Sequence, residues 1–459
     1  MASVLDAVPD LQVVLLSPLA ADPAFTREFA HPRVSFEILP PHVPQGLEAR
    51  LLSLVQARFL DVCTTDTLRI RAPRECPAAA GRLRGVKGVL GRVAAPRARH
   101  GDWYALTDLW VTDPAMESIF DKHRPVLTAT ASPGLIFSEI PVLRTARRRR
   151  VRTMAVDLSW DNLTNKFFPP RLVDRLVLWN ATMREEAHTL HGFDLDRIAV
   201  TGPPQFDSYF TAPRSSRVDF CRRVGLEPSR RIITLATIPD SKFAHHDAVI
   251  SALIEAIDAD AIRQPADLLI RLHPRDEPDR YRQYAGRPHV VVEKAFRETA
   301  ARSGDGMGVD FMAENTRHLA DTLYHSDVVL NVASTIAIEA SVFNTPVVNI
   351  GFDGQPGSND ALMKWHYGST HFQKVVRSGA VRIAQSREEL VDLINGYLAN
   401  RALDTEGRRR IVAEQCEFTD GRSAERVAGE IVDQLNLVCG RRADARSQSS
   451  REAAASVIH

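Results

Sequence analysis

Ser326-Asp327-Val328-Val329-Leu330-Asn331-Val332-Ala333-Ser334-Thr335-Ile336-Ala337-Ile338-Glu339-Ala340 reads as a short buried strand, a tight Ala-Ser-Thr loop, and a helix carrying one acid a turn inside. A strand that hands its chain directly to a helix leaves unpaired backbone N–H groups, at the positive end of a helix dipole, beside the strand's C-terminal edge. That edge is a seat for phosphate, and the hydroxyls of Ser334 and Thr335 add donors to it. Glu339 lies far enough into the turn to reach back toward the hydroxyls of a ribose. Asn344-Thr345-Pro346-Val347-Val348-Asn349-Ile350 supplies the next strand and closes a β-α-β unit. Because Ser and Thr also cap helices that bind nothing, a second element has to weigh in.

That element is Asp267-Leu268-Leu269-Ile270-Arg271-Leu272-His273-Pro274, an apolar strand ending abruptly in His-Pro. Proline disfavours helix at the preceding residue and stops the strand ladder, so His273 is presented at the strand's end. In a parallel sheet that end is the ligand-binding edge, and a His there can donate to a phosphate or nucleotide oxygen. Thr237, ending the strand Arg231 to Thr237, faces the same edge and joins the expected donor-nucleotide site.

The chain has 459 residues, long for one core and suited to two domains plus a tail. Its 58 basic and 57 acidic residues nearly cancel, so no global field recruits nucleic acid. No apolar run reaches the length of a spanning helix, and the start Met1-Ala2-Ser3-Val4-Leu5-Asp6-Ala7 lacks the basic region of a signal peptide. The five cysteines have no metal-like spacing and read as scattered thiols of a reducing cytoplasm.

Strands are expected at Leu11 to Leu16, Val34 to Leu39, Val126 to Thr130, Arg152 to Val156, Arg175 to Leu178 and Arg197 to Val200. Thr201-Gly202-Pro203-Pro204-Gln205-Phe206-Asp207 breaks the pattern and reads as a hinge. The alternation restarts with Arg231 to Thr237, Leu268 to Leu272, Val290 to Val292, Val328 to Asn331 and Val347 to Ile350, then helices at Leu390 to Leu398 and Ala424 to Leu437. Such alternation implies parallel sheets covered on both faces. The expected division is an acceptor-side Rossmann-like domain at 1–205, a nucleotide-binding one at 206–438, and a disordered tail at 439–459. The Arg, Ala, Gly and Pro stretch between Arg69 and Gly101 reads as a solvated loop.

These motifs together resemble the GT-B class of nucleotide-sugar glycosyltransferases. Within it the chain is similar to bacterial surface-polysaccharide transferases related to the CDP-glycerol glycerophosphotransferases and the UDP-GlcNAc 2-epimerases. The resemblance rests on Gly202-Pro203-Pro204-Gln205-Phe206-Asp207, Arg271-Leu272-His273-Pro274, Ala333-Ser334-Thr335-Ile336-Ala337-Ile338-Glu339-Ala340 and Asp420-Gly421-Arg422-Ser423-Ala424-Glu425-Arg426. It implies an α/β GT-B fold, two Rossmann-like domains facing each other across a cleft, with no cofactor and no required metal. The epimerases carry two glycines where this chain has Ser334 and Thr335, which argues against epimerisation. His-Pro with Ser-Thr also resembles the donor motifs of CMP-sugar transferases, so a UDP-, GDP- or CMP-sugar fits.

Asp157-Leu158-Ser159-Trp160-Asp161-Asn162-Leu163-Thr164-Asn165-Lys166 follows the strand Arg152 to Val156 and so lies on the binding edge of the first domain. Asp161 is the first choice for a base that deprotonates an acceptor hydroxyl, and Asp157 the second. Asn162, Thr164 and Lys166 are expected to bind acceptor, and Trp160 to offer a face to a pyranose; an N-cap with a packed Trp is the alternative. Arg144, Arg147 to Arg150 and Arg152 form a basic cluster read as a solvated face, or as a peripheral contact with anionic lipid. His245 and His246 point apart on a helix and make a poor metal pair. Trp365-His366-Tyr367 and His371-Phe372 either line the cleft or pack. The expected activity is transfer of a sugar from a nucleotide donor to a glycan or lipid-linked hydroxyl in cell-surface polysaccharide assembly. An epimerase, a polyol-phosphate transferase and a non-catalytic sugar-nucleotide-binding protein are the alternatives.

Overall fold

The computed structural model describes residues 1–43, 45–46, 48, 111–131, 138–165, 172–239, 242–274, 276–294, 313–352 and 366–455. The second half is one parallel sheet of β7 (Arg231–Ala236), β8 (Ala266–Arg271), β9 (Val290–Glu293), β10 (Val328–Asn331), β11 (Val347–Ile350) and β12 (Val381–Ala384). Its order is β12-β11-β10-β7-β8-β9, and every pair is parallel. This is the Rossmann order: the chain winds outward in one direction from β7 and in the other from β10. The crevice beyond the C-terminal ends of those two strands is where such a sheet takes ligand. Because helices cover both faces, β8 and β10 are buried along their whole length, as their unbroken apolar runs require.

The first half holds β3 (Leu127–Ala131), β4 (Arg152–Val156), β5 (Arg175–Leu178) and β6 (Ile198–Val200) in a parallel sheet of that order. Among the described residues, β1 (Val13–Ser17) and β2 (Val34–Ile38) form a separate parallel pair, so the single N-terminal sheet expected from sequence is divided. The pair joins the rest through a small core in which Leu16 and Leu39 meet Met116, Phe120 and Val142. Every strand expected from the sequence is present. Strand β12 was not expected, because Arg382 interrupts a run of only four residues.

The two halves share one apolar cluster, in which Trp160, Leu163 and Trp179 of the first meet Ala337, Tyr367 and Phe372 of the second. The last helix, Ser423–Ala455, recrosses the junction. Val427 and Ile431 pack on Met154, Val177 and Ala199, Arg175 pairs with Glu430 at 2.8 Å, and Arg152 Nε reaches Gln434 at 2.6 Å. This helix, assigned by sequence to the second domain, therefore covers the first half's sheet. It also runs on to Ala455 in place of an unstructured tail, since 441–455 contain no proline or glycine and are rich in the helix formers Ala and Arg.

The motifs of the hinge and of the C-terminal region meet at this recrossing. The Asp207 carboxylate accepts from Ser423 N at 2.9 Å and Ala424 N at 2.7 Å, capping the helix from another part of the chain. Gly202 (φ +83°) passes so close that a Cβ would stand 2.4 Å from Ser423 Oγ. The basic cluster proves largely structural: buried Arg144 bonds Glu48 at 3.0 Å, and Arg149 pairs with Glu117 at 2.7 Å and Asp121 at 2.6 Å. No helix among the described residues is long and apolar enough to cross a membrane. The 69–101 stretch lies outside the described residues.

Asp207→Ala leaves two helix-terminal N–H groups without their carboxylate and should lower stability by about 0.5–2 kcal/mol, read as a lower urea midpoint, with Asp207→Asn recovering much of it. A second prediction concerns Glu139, which opens the helix Glu139–Arg148, accepts from Ala131 N at 2.9 Å and is 9% exposed. Burial first, and the nearby Asp157 charge after it, push this carboxyl up to about 8. An acid whose pKa is higher folded than unfolded holds its proton preferentially in the native state. Its contribution is therefore lost as pH rises from the unfolded value of about 4.3 toward the folded value of about 8. Glu139→Gln should match wild type in thermal melts near pH 5 and exceed it near pH 9; parallel melting curves across that range would remove the buried-acid reading.

Candidate functional site

Beyond β10 the chain turns through Val332 and Ala333, whose φ of +39° is unusual for a residue with a side chain, into the helix Ile336–Val342. The Asn331 carboxamide oxygen accepts from Ser334 N at 3.2 Å, and Ser334 Oγ accepts from Ile336 N at 3.4 Å. The Thr335 side chain makes no cap bond to its helix; its oxygen accepts the Trp160 indole N–H at 3.1 Å. Ser334 and Thr335 both line a cleft of about 210 Å³ between the two halves.

His273 lines the same cleft. Its backbone N–H donates to Thr237 Oγ1 at 2.8 Å and to Asp276 Oδ2 at 3.3 Å. The Thr237 hydroxyl in turn donates to Asp276, and Tyr281 OH reaches the same carboxylate at 3.4 Å. At 3% exposed, Thr237 is thus not a phosphate ligand at the surface, as expected from its strand-end position. It is the internal tie that sets the His-Pro turn.

On the facing wall, β4 leads into the Asp157 to Asn165 segment. Asp157 is fully buried. Its Oδ1 accepts from Ser159 N at 3.1 Å and Asn162 Nδ2 at 2.7 Å, while its carbonyl accepts the Trp179 indole N–H at 2.9 Å. It organises the turn and has no surface from which to act as a base. Asp161, by contrast, lines the cleft. Its carboxylate accepts the Ser159 hydroxyl, and its carbonyl starts the short helix Asn162–Asn165 by accepting Thr164 N at 3.2 Å and Thr164 Oγ1 at 3.1 Å. Asn162 and Thr164 are 2% and 0% exposed, so the turn uses the groups expected to hold acceptor. Trp160, 1% exposed, meets His371 edge-on at 5.2 Å and Phe372 at 6.4 Å; it is built into the wall and offers no open face to a sugar. Lys166 lies outside the described residues.

Glu339 stands apart from the cleft lining. It accepts from Tyr209 OH at 3.4 Å, and burial pushes its carboxyl up to about 7 against the opposing effects of that hydrogen bond and the Arg271 charge. Arg271 is itself buried and bonded to Glu293 at 3.1 Å. The acid expected to meet a ribose thus looks toward the hinge, where Tyr209 stacks on Phe206 at 5.0 Å.

Sequence reasoning missed Lys242 and left His366 and His371 undecided; all three line the cleft. The Tyr367 hydroxyl donates to Ile350 O at 2.6 Å, pinning this segment to the end of β11. His366 Nε2 lies 3.1 Å from Lys242 O, and Ser369 Oγ lies 3.5 Å from His371 Nε2. The density of His after a strand end was the available signal, though the same pattern also suits packing. His246 faces the Ile238 carbonyl at 2.9 Å, and the described residues contain no metal-holding cluster of His, Cys, Asp or Glu.

No curated protein sequence matches this chain. Among solved structures it is similar to the S. aureus MnaA-UDP complex (11% identity, 93% of this chain and 98% of that one, TM-score 0.49). It is likewise similar to UDP-GlcNAc 2-epimerase from Neisseria meningitidis bound to UDP-GlcNAc (8%, 93% and 100%, TM-score 0.49). The wall teichoic acid polymerase TagF matches at 11% identity over 70% of this chain and 94% of that one, TM-score 0.42. Such distant similarities transfer no residue's role. The sequence profile of the CDP-glycerol:poly(glycerophosphate) glycerophosphotransferases, however, matches residues 143–433, spanning both walls of the cleft, the hinge and the start of the recrossing helix. With well over half of its length inside that profile, the chain belongs to the CDP-glycerol:poly(glycerophosphate) glycerophosphotransferase family.

Proposed function

We propose that this chain transfers a polyol-phosphate unit from a nucleotide-activated donor of the CDP-glycerol kind to a hydroxyl of a surface polymer or lipid-linked acceptor. The observation that carries the reading is the make-up of the cleft. Asp161 stands on one wall, while His273, Lys242, His366, His371 and the Ser334-Thr335 hydroxyls stand on the other. A glycosyl unit leaves its nucleotide with positive charge building at the anomeric carbon, so only the departing phosphates need neutralising. A polyol phosphate carries its own anionic phosphorus to the acceptor, and both the migrating and the leaving group then require donors. A wall with one Lys, three His and two hydroxyls suits that greater demand, and family membership points the same way.

In this mechanism the Asp161 carboxylate takes the proton of the acceptor hydroxyl as its oxygen attacks the phosphorus bearing the polyol. The bond from that phosphorus to the bridging oxygen breaks, and the nucleoside monophosphate leaves with the electron pair. His273, Ser334 and Thr335 donate hydrogen bonds to the leaving phosphate. Asp157, Asn162 and Thr237 act only by holding Asp161 and His273 in place.

Incubation with CDP-glycerol and with UDP-, GDP- and CMP-sugars, with and without a hydroxyl acceptor, tests the reading. Release of CMP coupled to glycerol phosphate on the acceptor is the expected product. Transfer of a sugar would replace it with the glycosyltransferase reading, acceptor-independent release of free sugar with an epimerase, and nucleotide binding without turnover with a binding protein. Asp161→Asn should lower kcat by about 10²–10⁴-fold with donor affinity little changed, and with the melting temperature retained. Near-wild-type turnover in that variant would discard Asp161 as the base.

A further inference from the structure

Trp160 is buried at the junction, yet its one polar atom is not spent within its own half. The indole N–H crosses to the second half and donates to Thr335 Oγ1 at 3.1 Å. The ring is held for this by His371, edge-on at 5.2 Å with the planes 78° apart, and by Phe372. An indole N–H only donates, whereas a hydroxyl has one proton to give and two lone pairs to receive with. The Thr335 oxygen spends one lone pair on the Trp160 N–H, and among the described residues its hydroxyl donates to no protein group, so its own proton remains to be donated. Thr335 lines the cleft, so that donation is directed to whatever anion the cleft holds. The residue after Trp160 is Asp161, on the opposite wall of the same cleft.

From this geometry we infer that Trp160 is a positioning residue for the donor. Its N–H fixes the rotor of the Thr335 hydroxyl so that the proton points at a phosphate oxygen, and the same bond holds the Asp161 turn in register with that phosphate. The first half thereby completes the phosphate seat of the second. Without that bond a bound donor would lack both the oriented hydroxyl and the aligned carboxylate. The inference rests on the reading of the cleft as a nucleotide-donor site, and its test separates the two.

The test is a double-mutant cycle on the full chain, with Trp160→Phe, Thr335→Val and the pair, and Thr335→Ser as the conservative variant. Calorimetry measures the best-binding diphosphate among CDP, UDP and GDP, together with its parent nucleoside. Thr335→Val should weaken the diphosphate roughly tenfold or more, the scale of a lost hydrogen bond to a charged group, and Trp160→Phe several-fold. The pair should be no weaker than Thr335→Val alone, because the indole acts through the hydroxyl. Thr335→Ser should restore binding, and the parent nucleoside should bind all variants alike. Losses that multiply, or that fall equally on the nucleoside, would make Trp160 a packing residue only. Should Trp160→Phe melt early, the indole N–H resonance of Trp160 in the intact chain reads the same contact. It should move on diphosphate binding in wild type and Thr335→Ser but not in Thr335→Val, and a shift in all three would overturn the inference. If wild type binds none of the three diphosphates, the donor-site reading falls and takes this inference with it; if wild type binds and Trp160→Phe binds equally well, only the positioning role is lost.

Discussion

Among the described residues every strand in both halves runs parallel to its neighbour, and parallel neighbours can be joined only by chain that crosses back over a face of the sheet. The consequence is geometric. All strand C-termini of a sheet lie on one edge, so the loops after β4, β7, β8 and β10 have nowhere else to go. In the second half the reversal of winding between β7 and β10 parts the covering helices and opens a crevice. Into it come Ile238 and Lys242 after β7, His273 after β8 and the Ala333-Ser334-Thr335 turn after β10. The first half supplies the other wall from the end of β4.

Within that frame, burial sorts residues that sequence treats alike. Asp157 and Asp161 lie four positions apart in one polar segment. Yet Asp157 is enclosed and occupied by Ser159, Asn162 and the turn, whereas Asp161 reaches the cleft. Thr237 and Thr335 are separated in the same way. The first is tied to Asp276 and the His273 backbone, and the second is turned toward the opposite half. The inward residues still matter to the site, because a carboxylate or imidazole is held only as firmly as the loop that carries it.

The junction is a packed core, not a free hinge. One apolar cluster runs through both halves, Lys374 meets Glu186 across it at 2.5 Å, and the final helix returns to the first sheet with Asp207 at its start. The Gly-Pro-Pro-Gln-Phe-Asp and Asp-Gly-Arg-Ser segments are far apart in sequence, and neither lines the cleft. They meet in space: glycine at 202 and the small Ser423 are what the close approach admits.

Local sequence determined the elements. Short Val, Ile and Leu runs ended by Gly, Pro or His specify parallel strands and where each one stops, because strand propensity, apolar burial and chain-breaking act over a few residues. For the same reason His273, Ser334, Thr335 and Asp161 were legible as strand-end residues. Strand β12 was not, since four residues with an arginine among them carry too little pattern. Only the tertiary structure decided which strand-end groups face the cleft, that Lys242, His366 and His371 join them, that Glu339 turns to Tyr209, that the last helix covers the first sheet, and that Trp160 spans the halves. Those outcomes depend on contacts between residues as distant as Trp160 and Thr335 or Asp207 and Ser423, and side-chain burial is set by such partners, not by neighbours in the chain.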